Sequence, residues 1–63
     1  MQGKIHRIFK QNNFGYIVAN GIEYFFHKSA LKNIRFEELE LGQEVEFEEV
    51  ETGQGWRADD IFT

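Results

Sequence analysis

Few side chains of this sequence are of types that perform covalent chemistry, and their spacing does not favour it. His27 and Ser29 lie two positions apart, a spacing that could nominally pair a serine nucleophile with a histidine base. No carboxylate has a spacing that would orient His27, no oxyanion-hole signature is present, and a serine near a strand end is usually a cap. We therefore predict that the protein has no catalytic residues and is not an enzyme.

Metal and cofactor chemistry has equally little support. The chain has no Cys, which excludes disulfides, thiolate nucleophiles and Cys-based zinc or iron–sulfur sites. Glu44, Glu46 and Glu48 alternate along one segment, but carboxylates in a row on a strand usually only solvate it, whereas hard cations take oxygens from loops or several elements. We predict no metal, no cofactor and no small-molecule substrate, and we expect this acidic row to repel phosphate.

Aromatic and basic residues are the informative group. Seven Phe, two Tyr and one Trp occur in 63 residues. Residues 1–35 hold six Lys or Arg and one Glu, a net charge of +5, whereas residues 36–63 hold one Arg and ten acids, a net charge of −9. A chain divided in this way can present a basic face although its overall net charge is −4.

The elements that must position these residues follow from periodicity and turn signals. Alternating or β-rich segments predict five strands, at residues 3–10, 14–19, 22–27, 44–48 and 56–62. Asn20-Gly21 predicts a two-residue hairpin, and residues 28–41 predict a long connection with a turn or two of helix. Five short strands without a long helix predict an all-β fold, a small closed or partly open barrel that forms one domain over residues 1–63.

Alternation in the second and third strands predicts which rings face solvent. Gly15, Ile17 and Ala19 suit a tight barrel interior, so the alternate residues of that strand project outward. Antiparallel pairing across the hairpin then gathers one exposed patch, which consists of Phe14, Tyr16, Phe25 and His27. An exposed aromatic patch of this size needs a partner, because so small a barrel cannot bury ten aromatic rings on one inner face.

Two functions are compatible with this patch. Flat rings flanked by Lys and Arg suit the unstacked bases of single-stranded RNA or DNA, and a protein-interaction barrel would bind a peptide through the same rings. Competition by oligothymidine discriminates between them, since only a nucleic-acid binder would be displaced. The polar and basic residues that we expect to assist nucleic-acid binding are Lys4, His6, Arg7, Lys10, Asn12, Lys28 and Arg57.

Three segments of the chain resemble the cold-shock domain family. They are Gly3-Lys4-Ile5, Asn13-Phe14-Gly15-Tyr16-Ile17 and Phe25-Phe26-His27-Lys28-Ser29-Ala30-Leu31, of which the last two look like the family's two ribonucleoprotein motifs. The resemblance covers almost the whole chain. It implies a five-stranded antiparallel oligonucleotide-binding barrel (OB-fold) that binds single-stranded RNA or DNA, often as an RNA chaperone. By the same resemblance, Phe14, Tyr16, Phe25 and His27 are stacking residues and Phe36 joins them.

The sequence also departs from the family pattern. Arg7 stands where the family usually has an exposed Trp, and Lys28 stands where it has the third aromatic of the second motif. Asn12 and Asn13 replace the usual Lys-Gly before Phe14. Trp56 lies where the family commonly has Pro, and two interpretations of it remain open: a stacking ring near the same face, or a ring that caps the end of the barrel.

Membrane association is not expected. No apolar run approaches the roughly 18 residues that a spanning helix needs, and the N-terminus lacks the apolar region of a signal peptide. We expect a soluble, cytoplasmic protein that acts as a monomer.

Overall fold

Five β-strands and three short 3₁₀ turns make up the fold, which was obtained as a computed structural model that describes all 63 residues. The strands are β1 (Gln2–Phe9), β2 (Phe14–Ala19), β3 (Ile22–His27), β4 (Glu44–Thr52) and β5 (Gly55–Phe62). The 3₁₀ turns are Lys10–Asn12, Lys28–Ala30 and Phe36–Glu38. The all-β prediction is therefore confirmed, and β4 continues four residues beyond its strictly alternating part.

The strands close into a barrel in the order β1-β2-β3-β5-β4, with β4 returning to pair with β1. All neighbouring pairs are antiparallel except β3 and β5, which run parallel. The closed five-stranded barrel is as predicted, but its sheet is mixed rather than purely antiparallel. The long connection after β3 produces this exception, because it carries the chain across to β4 before β5 returns beside β3.

The hairpin between β2 and β3 has the predicted geometry. Asn20 and Gly21 have positive φ angles of 53° and 77°, as a type I′ turn requires at both central positions. The turn sets a register in which Tyr16 lies opposite Phe25 and Phe14 lies opposite His27. These four side chains therefore share the outer face of the barrel wall, which confirms the alternation predicted for both strands.

The barrel interior is filled by side chains from all five strands and the long connection. Buried members include Ile5, Ile17, Tyr24, Phe26 and Phe47. Gly15 faces inward in β2, where a Cβ atom would lie 2.5 Å from the Arg7 carbonyl oxygen and 2.8 Å from the Phe26 ring. Only glycine allows β1 and the Phe26 ring to approach β2 this closely.

A β-bulge in β1 changes which of its side chains face solvent. Ile5 pairs with Ile17, and Arg7 pairs with Tyr16, which is adjacent to Ile17 in β2. His6 is therefore the extra residue of β1. Ile5 is buried, and the two residues after it are both exposed. Because the bulge shifts the phase of the alternation by one residue, Arg7 and Phe9 point outward beside the rings of β2.

Candidate nucleic-acid interface

Four aromatic side chains from three adjacent strands form one continuous patch on the outside of the barrel. We define this aromatic face as Phe9, Phe14, Tyr16 and Phe25. The rings of Phe9 and Phe14 are stacked, with centroids 4.8 Å apart and an interplanar angle of 27°. Phe25 lies 5.4 Å from Phe14 and 5.9 Å from Tyr16. All four residues are partly exposed, so the rings offer an outer surface that is accessible to a ligand.

His27 extends the aromatic face at the end of β3, opposite Phe14. The backbone N–H of Ser29 donates to His27 Nδ1 at 3.1 Å, and Ser29 Oγ lies 3.0 Å from the same nitrogen. Because Nδ1 accepts the backbone hydrogen bond, the neutral ring carries its proton on Nε2. Ser29 thus orients the imidazole, which presents a flat, exposed ring with one donor nitrogen.

Arg7 lies against the aromatic face, and about half of its side chain stays exposed. Its guanidinium carbon is 4.6 Å from the Tyr16 ring centroid and 5.7 Å from that of Phe9. Glu23 accepts hydrogen bonds from Arg7 Nε at 3.1 Å and from Arg7 Nη2 at 3.2 Å. His6 Nε2 lies 3.8 Å from the same carboxylate. Arg7 therefore adds a planar surface to the face, while Glu23 compensates its charge.

The predicted cationic residues differ in whether an acid compensates them. Arg57 pairs with Asp59 through Nε and Nη2 at 3.2 and 3.1 Å, beside Phe25. Lys10 and Lys28 take part in no ion pair. Lys10 follows Phe9 directly, and the Lys28 N–H donates to the Asn13 carbonyl at 2.8 Å. Lys10 and Lys28 thus belong to the end of the barrel that carries Phe9, Phe14 and His27, whereas Lys4, which also takes part in no ion pair, lies elsewhere.

Lys4 and Asn12 occupy different surroundings. Lys4 lies near the other end of β1, where it is in register with Val18 of β2 and Glu44 of β4. It is therefore not brought together with the aromatic face. Asn12 is exposed in the 3₁₀ turn that joins Phe9 to Phe14, at the edge of the face.

Trp56 lies at the boundary between the core and the surface. Its ring packs edge-on against the buried Tyr24, with centroids 5.8 Å apart. It also lines a groove that it shares with Tyr16, Phe25 and Arg57. The indole is thus half-buried and borders the aromatic face.

Phe36 does not lie on this face, contrary to the prediction. Its side chain is only 6% exposed, and its ring centroid is 6.5 Å from that of Phe26 in the core. The 3₁₀ turn Phe36–Glu38 folds the long connection over the barrel, and Phe36 is the residue that it buries. A ring in this position has no free surface on which a base could stack.

Phe9 is the member of the aromatic face that sequence reasoning missed. Strict alternation from the buried Ile5 places Phe9 on the inner side of β1, and the bulge at His6 reverses this. One signal was present: Ile5 and Ile8 are three residues apart with two polar residues between them, which does not fit a period of two.

The acidic row lies on the opposite side of the barrel. Glu44, Glu46 and Glu48 are exposed on β4, whose neighbours are β1 and β5. One complete strand therefore separates β4 from β2 in one direction, and one separates it from β3 in the other. The negative charge of this row is therefore concentrated away from β2 and β3, the strands that carry Phe14, Tyr16 and Phe25.

Comparison with known proteins identifies the family of the chain. No helix in the structure has the length and apolar character needed to cross a membrane. A search among curated proteins found no match to the chain. The family model described as the "cold-shock" DNA-binding domain matches residues 1–63, which is the whole chain. On this match, the chain belongs to the cold-shock DNA-binding domain family, a family of nucleic-acid-binding proteins.

Proposed function

We propose that the protein binds single-stranded RNA or DNA by stacking bases on the aromatic face and His27, without changing the strand chemically. The observation that carries this proposal is the contact of four partly exposed rings on adjacent strands, with Arg7 lying against Tyr16. Each base has a flat π surface, and stacking on a protein ring contributes about 1–3 kcal/mol per base.

The geometry favours single strands over duplexes. In a duplex the flat surfaces of the bases are already stacked on one another, so an exposed protein ring finds no free base surface on which to stack. In a single strand the bases can turn toward the protein while the phosphates stay outside. The uncompensated Lys10 and Lys28, at one end of the face, are placed to attract those phosphates.

The acidic side of the barrel supports one path for the strand. The row of glutamates on β4 repels phosphate, so a bound strand is confined to the surface formed by β1, β2 and β3. A protein that holds bases unstacked competes with base pairing. We therefore propose that this protein acts as a monomeric RNA chaperone in the cytoplasm.

Affinity measurements with matched ligands test this function. Fluorescently labelled oligothymidine of about ten nucleotides should bind, and its duplex with oligoadenine should bind about tenfold or more weakly at the same salt concentration. Heparin serves as a polyanion without bases. Equal affinity for heparin and for the single strand would show that charge alone governs binding, which would overturn the stacking proposal.

A second assay addresses the chaperone role. An RNA hairpin labelled with a fluorophore and a quencher should open at a lower temperature when the protein is present in excess. The variant Phe25→Ala should lose most of this effect, because its binding is weakened. A hairpin melting temperature that the protein leaves unchanged or raises would contradict the chaperone role.

A further inference from the structure

The surface beside Phe9 continues into a groove that Phe9 alone of the proposed stacking residues lines. The groove runs between β1 and the end of the long connection before β4. Buried Leu39 and half-buried Ile8 line its base, and Phe9 and Leu41 line its sides. We call it the Leu41 groove.

Leu41 is the most exposed large apolar side chain of the protein, at 67%. A single exposed leucine needs no explanation, but Leu41 borders the same groove as Phe9, which is 36% exposed. Two exposed apolar side chains on one groove form a surface that a flat apolar group can cover. The loop that carries Leu41 is anchored to β1 at Ile5, directly before the bulge, because Gly42 N–H donates to the Ile5 carbonyl at 2.8 Å and Ile5 N–H donates to the Gln43 carbonyl at 2.9 Å.

The charge around the Leu41 groove indicates what kind of group would occupy it. The remaining side chains that line it are His6, Arg7 and Lys10, and no carboxylate is among them. His6 and Arg7 already face Glu23, so Lys10 is the cation of this groove that has no acidic partner. The groove beside Met1 and Phe62 is the opposite case, since four acids line it: Glu46, Glu48, Glu49 and Asp60. An occupant of the Leu41 groove therefore combines an apolar surface with negative charge, as a nucleotide does.

We propose that the Leu41 groove is an additional nucleotide subsite at the end of the aromatic face. The base lies between Phe9 and Leu41, and its phosphate lies near the uncompensated Lys10. This subsite rests on the proposed function, because the strand reaches it from the aromatic face. The stacked pair Phe9 and Phe14, 4.8 Å apart, makes the two surfaces continuous. Because apolar side chains bound the base on both sides, it is held without reading its hydrogen-bonding edge.

Binding of an oligothymidine series tests the subsite. The series lengthens by one nucleotide at a time from about three to about ten nucleotides, which covers the span of one small barrel. For the native protein we expect a last gain in affinity at the length that fills the groove. Leu41→Ser should remove this gain, lowering affinity for the longer oligonucleotides about three- to tenfold and leaving the shorter ones unchanged. Phe62→Ser is the matched control, since Phe62 is 45% exposed on the acidic side of the barrel.

Abasic oligonucleotides locate the effect. Of two long oligonucleotides that lack the base at the 5′ or the 3′ end, one should bind the native protein about three- to tenfold more weakly than the intact strand. The same oligonucleotide should bind Leu41→Ser as well as the intact strand does, because base and side chain act as one pair.

The possible failures are distinguishable. If Leu41→Ser binds every length as the native protein does, the subsite is wrong and the proposed function stands. A uniform loss at all lengths also overturns the subsite, since Leu41 would then affect the whole face. If the native protein binds no oligonucleotide of any length, the proposed function itself fails and the subsite fails with it.

Discussion

Arg7 and Tyr16 lie opposite each other across β1 and β2, with the guanidinium carbon 4.6 Å from the ring centroid. The two hydrogen bonds from Arg7 to Glu23 hold the cation in this place. A guanidinium is planar and stacks on aromatic rings, so it can present a flat surface where the family usually has an exposed Trp. The consequence is that the cation in contact with two rings of the face is already compensated before any nucleic acid binds.

Releasing Arg7 from Glu23 should make binding more dependent on salt. In Glu23→Gln the guanidinium loses its charged partner and becomes free to pair with a phosphate. We expect the slope of log K against log salt concentration to steepen by about 0.7, the increment for one phosphate neutralised in a single strand. Titrations with oligothymidine at several salt concentrations measure this slope.

Glu48→Gln controls for the change in net charge, because it removes the same charge from the acidic row on β4 and breaks no ion pair. Its slope should stay close to that of the native protein. If both variants steepen the slope equally, overall charge and not the release of Arg7 is responsible.

Removing a ring from the aromatic face should weaken binding more than folding. Phe25→Ala deletes a partly exposed ring in contact with Phe14 and Tyr16, so we expect affinity for oligothymidine to fall by about 1–3 kcal/mol. Phe47→Ala is the opposite control, since Phe47 is buried and its loss should lower the free energy of unfolding by about 3–5 kcal/mol. Urea denaturation and binding titrations of both variants separate the two roles. An unfolding loss for Phe25→Ala as large as that for Phe47→Ala, with unchanged affinity, would contradict the assignment of this face.

Much of the face could be predicted because β2 and β3 obey simple local rules. Alternation and a two-residue turn fix which side chains of these strands point outward, and both can be read from residues 14–27. Phe9 and Phe36 depend instead on how distant segments meet. The bulge that exposes Phe9 arises where β1 pairs with β2 and the Gly42 loop docks on Ile5, and the connection that buries Phe36 has no periodicity to reveal its inner side.

Trp56 reports on the edge of the aromatic face because it is the only Trp of the chain. Its indole lines a groove with Tyr16 and Phe25 while one edge packs on Tyr24. We expect saturating oligothymidine to lower its fluorescence, since a base stacked in this groove quenches the indole. Trp56→Ala should cost about 1–3 kcal/mol of binding free energy if the ring stacks on a base. Unchanged emission at saturation, together with native affinity for Trp56→Ala, would assign the ring to the barrel end alone.

Tyr24 should make the stability of the barrel fall in alkaline solution. Burial raises the pKa of Tyr24 above its ordinary value of 10.0, and the hydrogen bond to Glu49 and the charge of that carboxylate raise it further. The hydroxyl donates to Glu49 Oε2 at 2.8 Å, a bond that ionisation of the phenol would destroy. Well below pH 10.0 the phenol is protonated in both the folded and the unfolded chain, so its contribution to stability is complete. As the pH rises through 10.0, Tyr24 loses its proton first in the unfolded chain. The free energy of unfolding then declines until the pH exceeds the raised pKa of Tyr24 in the folded state. Urea denaturation between about pH 8 and about pH 11 should show this decline.

Because lysines also titrate in this range, the test is the difference between the native protein and Tyr24→Phe, which keeps the buried ring and removes the ionisable group. Tyr24→Phe should lose less stability across the alkaline range, and Glu49→Gln should fall between the two because it removes only the neighbouring charge. Parallel curves for the native protein and Tyr24→Phe would show that the Tyr24 hydroxyl does not govern the alkaline decline.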